Sequence, residues 1–120
     1  MIECIFTEDQ LQERLEYWKE KLRLQDWIIS IKFASQEELT DSLSANVSYL
    51  LENKQARIKI LKNEEFPDDA WFPHDMEWLL VHELLHLHIA PIEPKNNSKY
   101  YAIEQAIEGI VFGLMALERK

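Results

Sequence analysis

Cysteine, glycine, proline and basic residues are all scarce in this chain of 120 residues. Its one cysteine, Cys4, excludes a disulfide framework and predicts a reducing compartment, the cytoplasm. Two glycines and four prolines exclude collagenous and low-complexity proteins. Thirteen basic residues against 22 acidic ones give a formal charge of −9, which argues against nucleic acid and anionic membranes as partners.

The proportions of apolar and charged residues are typical of one globular domain. Apolar residues make up 47% of the chain and charged residues 29%, so we expect a single packed domain over residues 1–120. The N-terminus carries acidic residues where a signal peptide would be basic and apolar. The most apolar stretch, 101–117, is interrupted by Glu104, Gln105 and Glu108, so no membrane span is predicted.

Helical and strand periodicities follow one another along the chain and predict an α+β fold. Thr7–Gln10 has the form of a capping box, and apolar residues recur at helical spacing from Leu11 to Leu22. The acidic segment Ser35–Ser42 predicts a loop, and a turn at 52–55 predicts a hairpin of the second and third strands. Alternation with a period of two predicts these strands at Trp27–Phe33, Val47–Leu51 and Ala56–Ile60.

Two more helices are predicted in the second half of the chain. Pro73-His74-Asp75 has residues that favour a helix start, and the helix runs to about His88. It is apolar on nearly every side, so we expect it to be buried. Asn96-Asn-Ser98 can cap a last helix that runs to the end of the chain.

The buried helix carries a motif that is typical of zinc enzymes, His82-Glu-x-x-His86. Residues four apart lie on the same helical face, so both imidazoles can reach one metal ion. Glu83 lies about 100° around the helix, where it can act on a water at the metal. His88 points about 120° away from His82 and about 160° away from His86, so we do not expect it to be a ligand.

A catalytic zinc needs a third protein ligand, and the residues after the motif restrict its identity. No histidine follows His88 and no aspartate follows Asp75, so a downstream ligand must be a glutamate. Glu104 is favoured because it lies on a partly apolar face of the last helix, and Glu108 is the alternative one turn further on. The full set of candidates is Glu93, Glu104, Glu108 and Glu118.

This arrangement resembles the gluzincin metallopeptidases, which have HExxH followed by a downstream Glu-x-x-x-Asp. Here His82-Glu-x-x-His86 is followed by Glu104-x-x-x-Glu108. The order of one helix, three strands, motif helix and ligand helix is similar to the minimal zincin core of small phage- and prophage-type metallopeptidases. The resemblance covers nearly the whole chain. It implies one zinc per chain and hydrolysis of peptide bonds.

The resemblance also implies a role for each residue of the motif. Glu83 is the general base toward a zinc-bound water, and Glu104 is the third zinc ligand. Glu108 orients His82 from outside the ligand set, although the family has the shorter aspartate at this position. An extended peptide or protein substrate is expected to join an exposed edge of the sheet, and the hairpin makes strand two that edge.

The rest of the predicted active site follows from the chemistry. A donor to the oxyanion of the transition state is needed, and Tyr100, Tyr101 and His74 are the candidates. Trp71 and Phe72, just before the motif helix, are candidates for a wall of the cleft. Little chain follows the last helix, so the cleft is expected to be shallow or to be completed by a protein partner.

Other functions remain open at this stage. One is a zinc-binding zincin-fold interaction module with little or no catalysis, and another is a non-peptidase zinc hydrolase. Glu83 favours an enzyme, because a structural zinc site needs no base. Cys4 could cap the zinc and keep the enzyme latent, although a small buried apolar role is expected of it.

Overall fold

In the described part of the chain, four α-helices and a three-stranded mixed sheet form an α+β architecture. The computed structural model describes residues 1–40 and 42–120, apart from the side chain of Asn97. The elements in chain order are α1 (Glu8–Lys21), β1 (Ile28–Ala34), α2 (Gln36–Leu39), β2 (Ala45–Leu50), β3 (Gln55–Leu61), α3 (Met76–Ile89) and α4 (Tyr100–Glu118).

The first helix has the capping box that the sequence predicts. The Thr7 hydroxyl accepts a hydrogen bond from the Gln10 N–H at 3.2 Å, and the Gln10 side chain accepts one from the Thr7 N–H at 2.9 Å. The apolar residues of α1 face the main core, where Leu11, Leu15 and Trp18 are buried. The predicted amphipathic helix is therefore confirmed.

The sheet has the strand order β1-β3-β2, so β2 lies at an edge, as predicted. β2 and β3 are antiparallel and form the predicted hairpin, whose turn has Lys54 in the left-handed region at φ 51°. β1 is parallel to β3, which the sequence did not predict. The inward side chains of the strands, among them Ile58 and Ile60, pack against the main core.

The segment that follows β1 is not entirely a loop. Residues 36–39 form the short helix α2, which begins with a capping box of its own between Ser35 and Glu38. The prediction of a loop over residues 35–42 is therefore wrong for these residues, and Asp41 lies outside the described part. Leu39 is buried in a small cluster with Ala34 and Leu61, and this contact stabilises the turn of helix.

The motif helix α3 crosses the main core and is buried along most of its length. Asp75 caps its start by accepting a hydrogen bond from the Trp78 N–H at 3.1 Å. The same carboxylate, which is fully buried, accepts two hydrogen bonds from the Arg119 guanidinium at 2.7 and 2.8 Å. Asp75 thus connects the start of α3 to the end of α4.

The start of α4 differs from the prediction. Lys99 occupies the capping position and makes no side-chain cap hydrogen bond. Asn96 instead accepts hydrogen bonds from the N–H and hydroxyl of Ser98, within the turn that precedes the helix. Among the helices of the described residues, none has both the length and the apolarity that crossing a membrane requires.

Candidate metal centre

The two motif histidines lie side by side where α3 borders a cleft. His82 and His86 are one turn apart, and their ring centroids are separated by 5.2 Å. Their neighbours on the helix, Leu80, Leu84 and Leu87, are buried in the main core and fix the rotation of α3 about its axis. The hydrophobic packing of this helix therefore orients both imidazoles toward the same side.

Glu104 from α4 lies between the two imidazoles. One carboxylate oxygen is 3.0 Å from His82 Nε2, and the other is 2.8 Å from His86 Nε2. One ligand atom from each of these three residues lies within 4.8 Å of the other two. This group of two nitrogens and one carboxylate could hold a metal ion.

Glu108 supports this group from behind His82. Its carboxylate accepts a hydrogen bond from His82 Nδ1–H at 2.7 Å and another from the Trp78 indole N–H at 2.5 Å. A proton on Nδ1 leaves the lone pair of Nε2 directed at the cluster, so Glu108 selects the tautomer that a metal requires. The spacing of four residues between Glu104 and Glu108 brings both carboxylates to the same face of α4.

The surroundings change the pKa values of the two histidines in opposite directions. Burial alone would lower the pKa of His82, but its hydrogen bond to Glu108 and the nearby carboxylate charges outweigh burial and raise the pKa above its ordinary value. Burial is the largest influence on His86 and lowers its pKa, against the opposing charge of Glu104. The centre thus combines one basic imidazole with one that is readily neutral.

Glu83 is nearly fully buried beside the cluster. Burial, opposed by the charge of His82 and helped by the charges of Glu104 and Glu108, raises the pKa of its carboxyl to about 7. A carboxyl with a pKa near 7 both accepts and releases a proton near neutral pH. Glu83 is therefore a buried carboxyl that can exchange a proton near neutral pH.

Comparison with known proteins gives no relative. No family model matches the chain, and neither a curated protein nor a solved structure matches it. The function therefore has to be inferred from the geometry of the centre.

The centre lies in an open cleft of about 830 Å³ between the edge strand and α4. Tyr100 and Tyr101, predicted as transition-state donors, both line this cleft. The charge of Glu104 and burial raise the pKa of Tyr100, so its hydroxyl keeps its proton and can donate a hydrogen bond. From β2, Val47 and Tyr49 line the opposite side.

The structure does not bring His74, the third predicted donor, to the centre. It precedes the first turn of α3, about two turns before His82, and its buried ring stacks on Phe66 with ring centroids 4.4 Å apart. Its Nδ1 lies 3.2 Å from Asn63 Oδ1. His74 is thus a buried packing residue, and its prediction as a donor at the centre is wrong.

The two aromatic residues before α3 have different positions. Phe72 lines the cleft, in agreement with the prediction of a wall. Trp71 is fully exposed and is not among the residues that line the cleft, so it is not part of that wall. Its position just before Phe72 in an irregular segment allows the two rings to point to different sides.

The remaining candidate residues have other partners. Glu93 accepts a hydrogen bond from the Tyr49 hydroxyl at 2.5 Å, and Glu118 pairs with Arg14 at 3.0 Å. Neither belongs to the three-residue cluster. His88 Nε2 lies 2.7 Å from the Leu22 carbonyl oxygen, away from the cluster, as its helical position predicts.

Cys4 is held by its backbone, which pairs with Asp75 in an isolated parallel bridge just before α3. Burial and the charge of Asp75 raise the pKa of its thiol above the ordinary value, so the thiol stays protonated and is a poor metal ligand.

Two contacts of the site are not predicted by the sequence. Trp78 shares Glu108 with His82, and its spacing of four residues from His82 on α3 was the available signal. Tyr49 faces the cleft from the edge strand and holds Glu93 there. The alternation of β2 predicts the side of the sheet on which Tyr49 lies, but no local pattern pairs it with a residue 44 positions later.

Proposed function

We propose that this chain is a zinc-dependent metallopeptidase with a compact zincin-like core of gluzincin type. The observation that carries the proposal is the convergence of His82, His86 and Glu104 from two helices, with their ligand atoms within 4.8 Å of one another. The order of the elements, with the motif helix and ligand helix after the strands, supports the same assignment.

The donor set fits zinc. Two imidazole nitrogens and one carboxylate oxygen are ligands that catalytic zinc takes, and three protein ligands leave a position open for water or substrate. Glu108 provides the outer carboxylate that commonly holds a zinc-ligating histidine. Zinc, when bound, supplies a Lewis acid that acidifies water and polarises a carbonyl group.

Glu83 carries the proton transfers in this proposal. It takes a proton from the attacking water and delivers it to the amine that leaves when the peptide bond breaks. In the protein without metal, burial raises the pKa of its carboxyl to about 7, and a bound zinc would favour the ionised form that accepts the proton of the water. Tyr100 and Tyr101 are the candidates for donating a hydrogen bond to the oxyanion.

The proposed substrate is an extended peptide or a protein segment that pairs with the edge strand β2. This strand has β3 on one side and lines the cleft with Val47 and Tyr49. A bound strand would use main-chain hydrogen bonds for affinity and place a peptide bond beside the centre. A protein partner that completes the open cleft also remains a proposal.

The test combines metal content with a peptidase assay on four forms of the protein, purified without added metal. We expect one zinc per chain in the wild type, in Glu83→Gln and in His88→Gln, and its loss in Glu104→Ala. His88→Gln is the matched control because it removes a histidine of the same helix whose ring faces away from the cluster.

Activity is then measured by mass spectrometry on a mixed peptide library. The Glu83→Gln variant should keep its zinc and lose about 10²- to 10⁴-fold in rate, the usual contribution of a general base. The His88→Gln variant should cleave like the wild type.

Other outcomes separate the alternatives. Zinc retained by Glu104→Ala would move the third ligand to Glu108 or Glu93. Stoichiometric zinc without cleavage of any peptide would favour the interaction module, and cleavage of esters alone would favour a non-peptidase hydrolase. A wild type without zinc, even when zinc is supplied, would contradict the proposal.

A further inference from the structure

The side of α4 that faces away from the metal centre is apolar and open to solvent. Within residues 101–117, every exposed residue is uncharged, although the chain as a whole carries a charge of −9. Glu104 and Glu108 lie beyond the Tyr101 margin, toward the candidate metal centre, with side chains that are 29% and 47% exposed. We call the exposed set the outer face: Tyr101, Ala102, Gln105, Ala106, Gly109, Ile110, Phe112, Gly113, Ala116 and Leu117.

The outer face has the shape of a shallow groove along the helix. At about 100° per residue, its members cover one continuous half of the circumference. Larger side chains stand at both margins, with Tyr101 and Phe112 on one side and Ile110 and Leu117 on the other. Between the margins lie one longer polar side chain, Gln105, next to Phe112, and five small residues: Ala102, Ala106, Gly109, Gly113 and Ala116.

The two glycines of this groove have no role in the packing of the chain itself. A Cβ atom built on Gly109 or Gly113 would meet no neighbouring group within 4 Å. Neither residue has a positive φ. Glycine is a poor helix former, so two of them in the middle of an exposed helix face are unfavourable unless another backbone approaches closely.

We propose that two copies of this chain pair through the outer face, with their α4 helices antiparallel and crossing at Gly109. The small residues are spaced almost symmetrically about this position, since Ala102 and Ala116 are each seven residues from it. Antiparallel pairing therefore places Ala102 opposite Ala116 of the second copy, and it brings Ala106, three residues before the crossing, within one residue of the position opposite Gly113, four residues after it. This self-complementarity is what a twofold interface requires.

The area and charge of the outer face fit a second copy. Its four largest side chains, Tyr101, Ile110, Phe112 and Leu117, are 85%, 47%, 66% and 67% exposed. They present roughly 500 Å² at about 200 Å² per large side chain. With the six smaller residues the face reaches roughly 800 Å², the contribution of one partner to a standard interface. Two chains of charge −9 can approach here because no charge on the face opposes them.

Sedimentation equilibrium tests the pairing on the intact chain, whose monomer mass is 14.3 kDa. We expect the wild type to be dimeric at about 100 µM, as for an interface of micromolar affinity. Gly109→Leu and Gly113→Leu should each weaken the dimer at least tenfold, because the added side chains separate the helices. Both should keep their helix content by circular dichroism, since the space around each glycine is open within the monomer.

The control is Gln12→Leu, which adds the same side chain to an exposed position of α1 outside the outer face. It should leave the dimer unchanged. A wild type that stays monomeric at about 1 mM, a concentration that detects even weak association, would overturn the proposal. Dimers that the two glycine variants do not weaken would overturn it as well.

Disulfide cross-linking tests the orientation, in a Cys4→Ala background. Gly109→Cys should cross-link with itself on oxidation. Ala102→Cys and Ala116→Cys should cross-link when they are mixed and much less when each is alone. Cross-linking of Ala102→Cys with itself, at the yield of the mixture, would contradict the antiparallel arrangement.

Discussion

At the scale of single residues, Glu108 connects the candidate metal centre to the rest of the fold. Its carboxylate accepts hydrogen bonds from both His82 and Trp78. We predict that Glu108→Ala lowers zinc affinity by about 10- to 100-fold, because the imidazole loses the partner that fixes its tautomer and orientation. Competition with a chromophoric chelator measures the change.

The matched control for this prediction is Glu93→Ala. Glu93 also lies in the cleft, but its partner is the Tyr49 hydroxyl. Its removal should leave zinc affinity unchanged. Equal losses of zinc affinity in the two variants would mean that the total negative charge of the cleft determines zinc affinity, rather than the contact of Glu108 with His82.

Asp75 is the residue for which the structure gives the clearest dependence of stability on pH. Burial alone would raise the pKa of its carboxyl, but the Arg119 guanidinium and the N–H groups of Ile2 and Trp78 outweigh burial and lower the pKa. Because the pKa is lower in the folded than in the unfolded chain, the ionised carboxylate stabilises the fold above about pH 4. This stabilisation is lost as the pH falls through the folded-state pKa.

We therefore predict that Asp75→Asn reduces the free energy of unfolding by about 3 kcal/mol at pH 7, because Arg119 loses its charged hydrogen-bond partner and keeps only the more distant carboxylate of Glu77, 3.7 Å away. The difference from the wild type should shrink as the pH falls below about 4. Urea unfolding over a pH series measures it. Asp26→Asn, at the exposed ion pair with Lys54, should show no comparable loss. A loss for Asp75→Asn that does not change with pH would contradict the assignment.

At the scale of elements, the start of α1 tests how much a local motif contributes. The Thr7 hydroxyl satisfies the Gln10 N–H. We predict that Thr7→Ala lowers the free energy of unfolding by about 1 kcal/mol, because that N–H loses its partner at the end of the helix. Thr7→Ser keeps the hydroxyl and should lose little. Urea unfolding of the three forms decides between a cap and a neutral surface position.

The short helix α2 shows where local motifs stop being sufficient. Ser35-x-x-Glu38 is the same kind of capping box as Thr7-x-x-Gln10, yet α2 has four residues while α1 has 14. The sequence after Ser35 has no sustained apolar periodicity, so the box alone did not predict a helix there. A single turn of helix forms because Leu39 is buried against the nearby Ala34 and against Leu61, which lies 22 residues later in the chain.

At the scale of the whole molecule, the proposed zinc connects α3 to α4 because its ligands come from both. We predict that zinc at about 100 times its dissociation constant raises the free energy of unfolding by about 2.7 kcal/mol, since the unfolded chain lacks the assembled ligands. Thermal unfolding with zinc and with a chelator measures this. The effect should disappear in Glu104→Ala and persist in His88→Gln. A zinc effect that survives in Glu104→Ala would place the bound ion elsewhere.

The candidate site was predictable to the extent that its residues share one helix. The four-residue spacing of His82 and His86 places both rings on one face in any α-helix. Because no histidine or aspartate follows the motif helix, the sequence left four glutamates as candidates for the third metal ligand. The packing of α4 on α3 decides among them, because it brings Glu104 to both histidines. Trp78 and Tyr49 were missed because their partners lie 30 and 44 residues away. A cytoplasmic location stays a prediction from the single cysteine.

The sequence by itself determined the features that depend on neighbours within a few residues. These are the capped start of α1, the inward and outward sides of the strands, the hairpin of β2 and β3, and the paired histidines of α3, since backbone geometry sets each of these spacings. The tertiary structure decided that β1 is parallel to β3, that His74 is a packing residue, and that Glu104 rather than Glu93 lies between the imidazoles. Those outcomes depend on burial of the helix faces against one another, which no local pattern fixes.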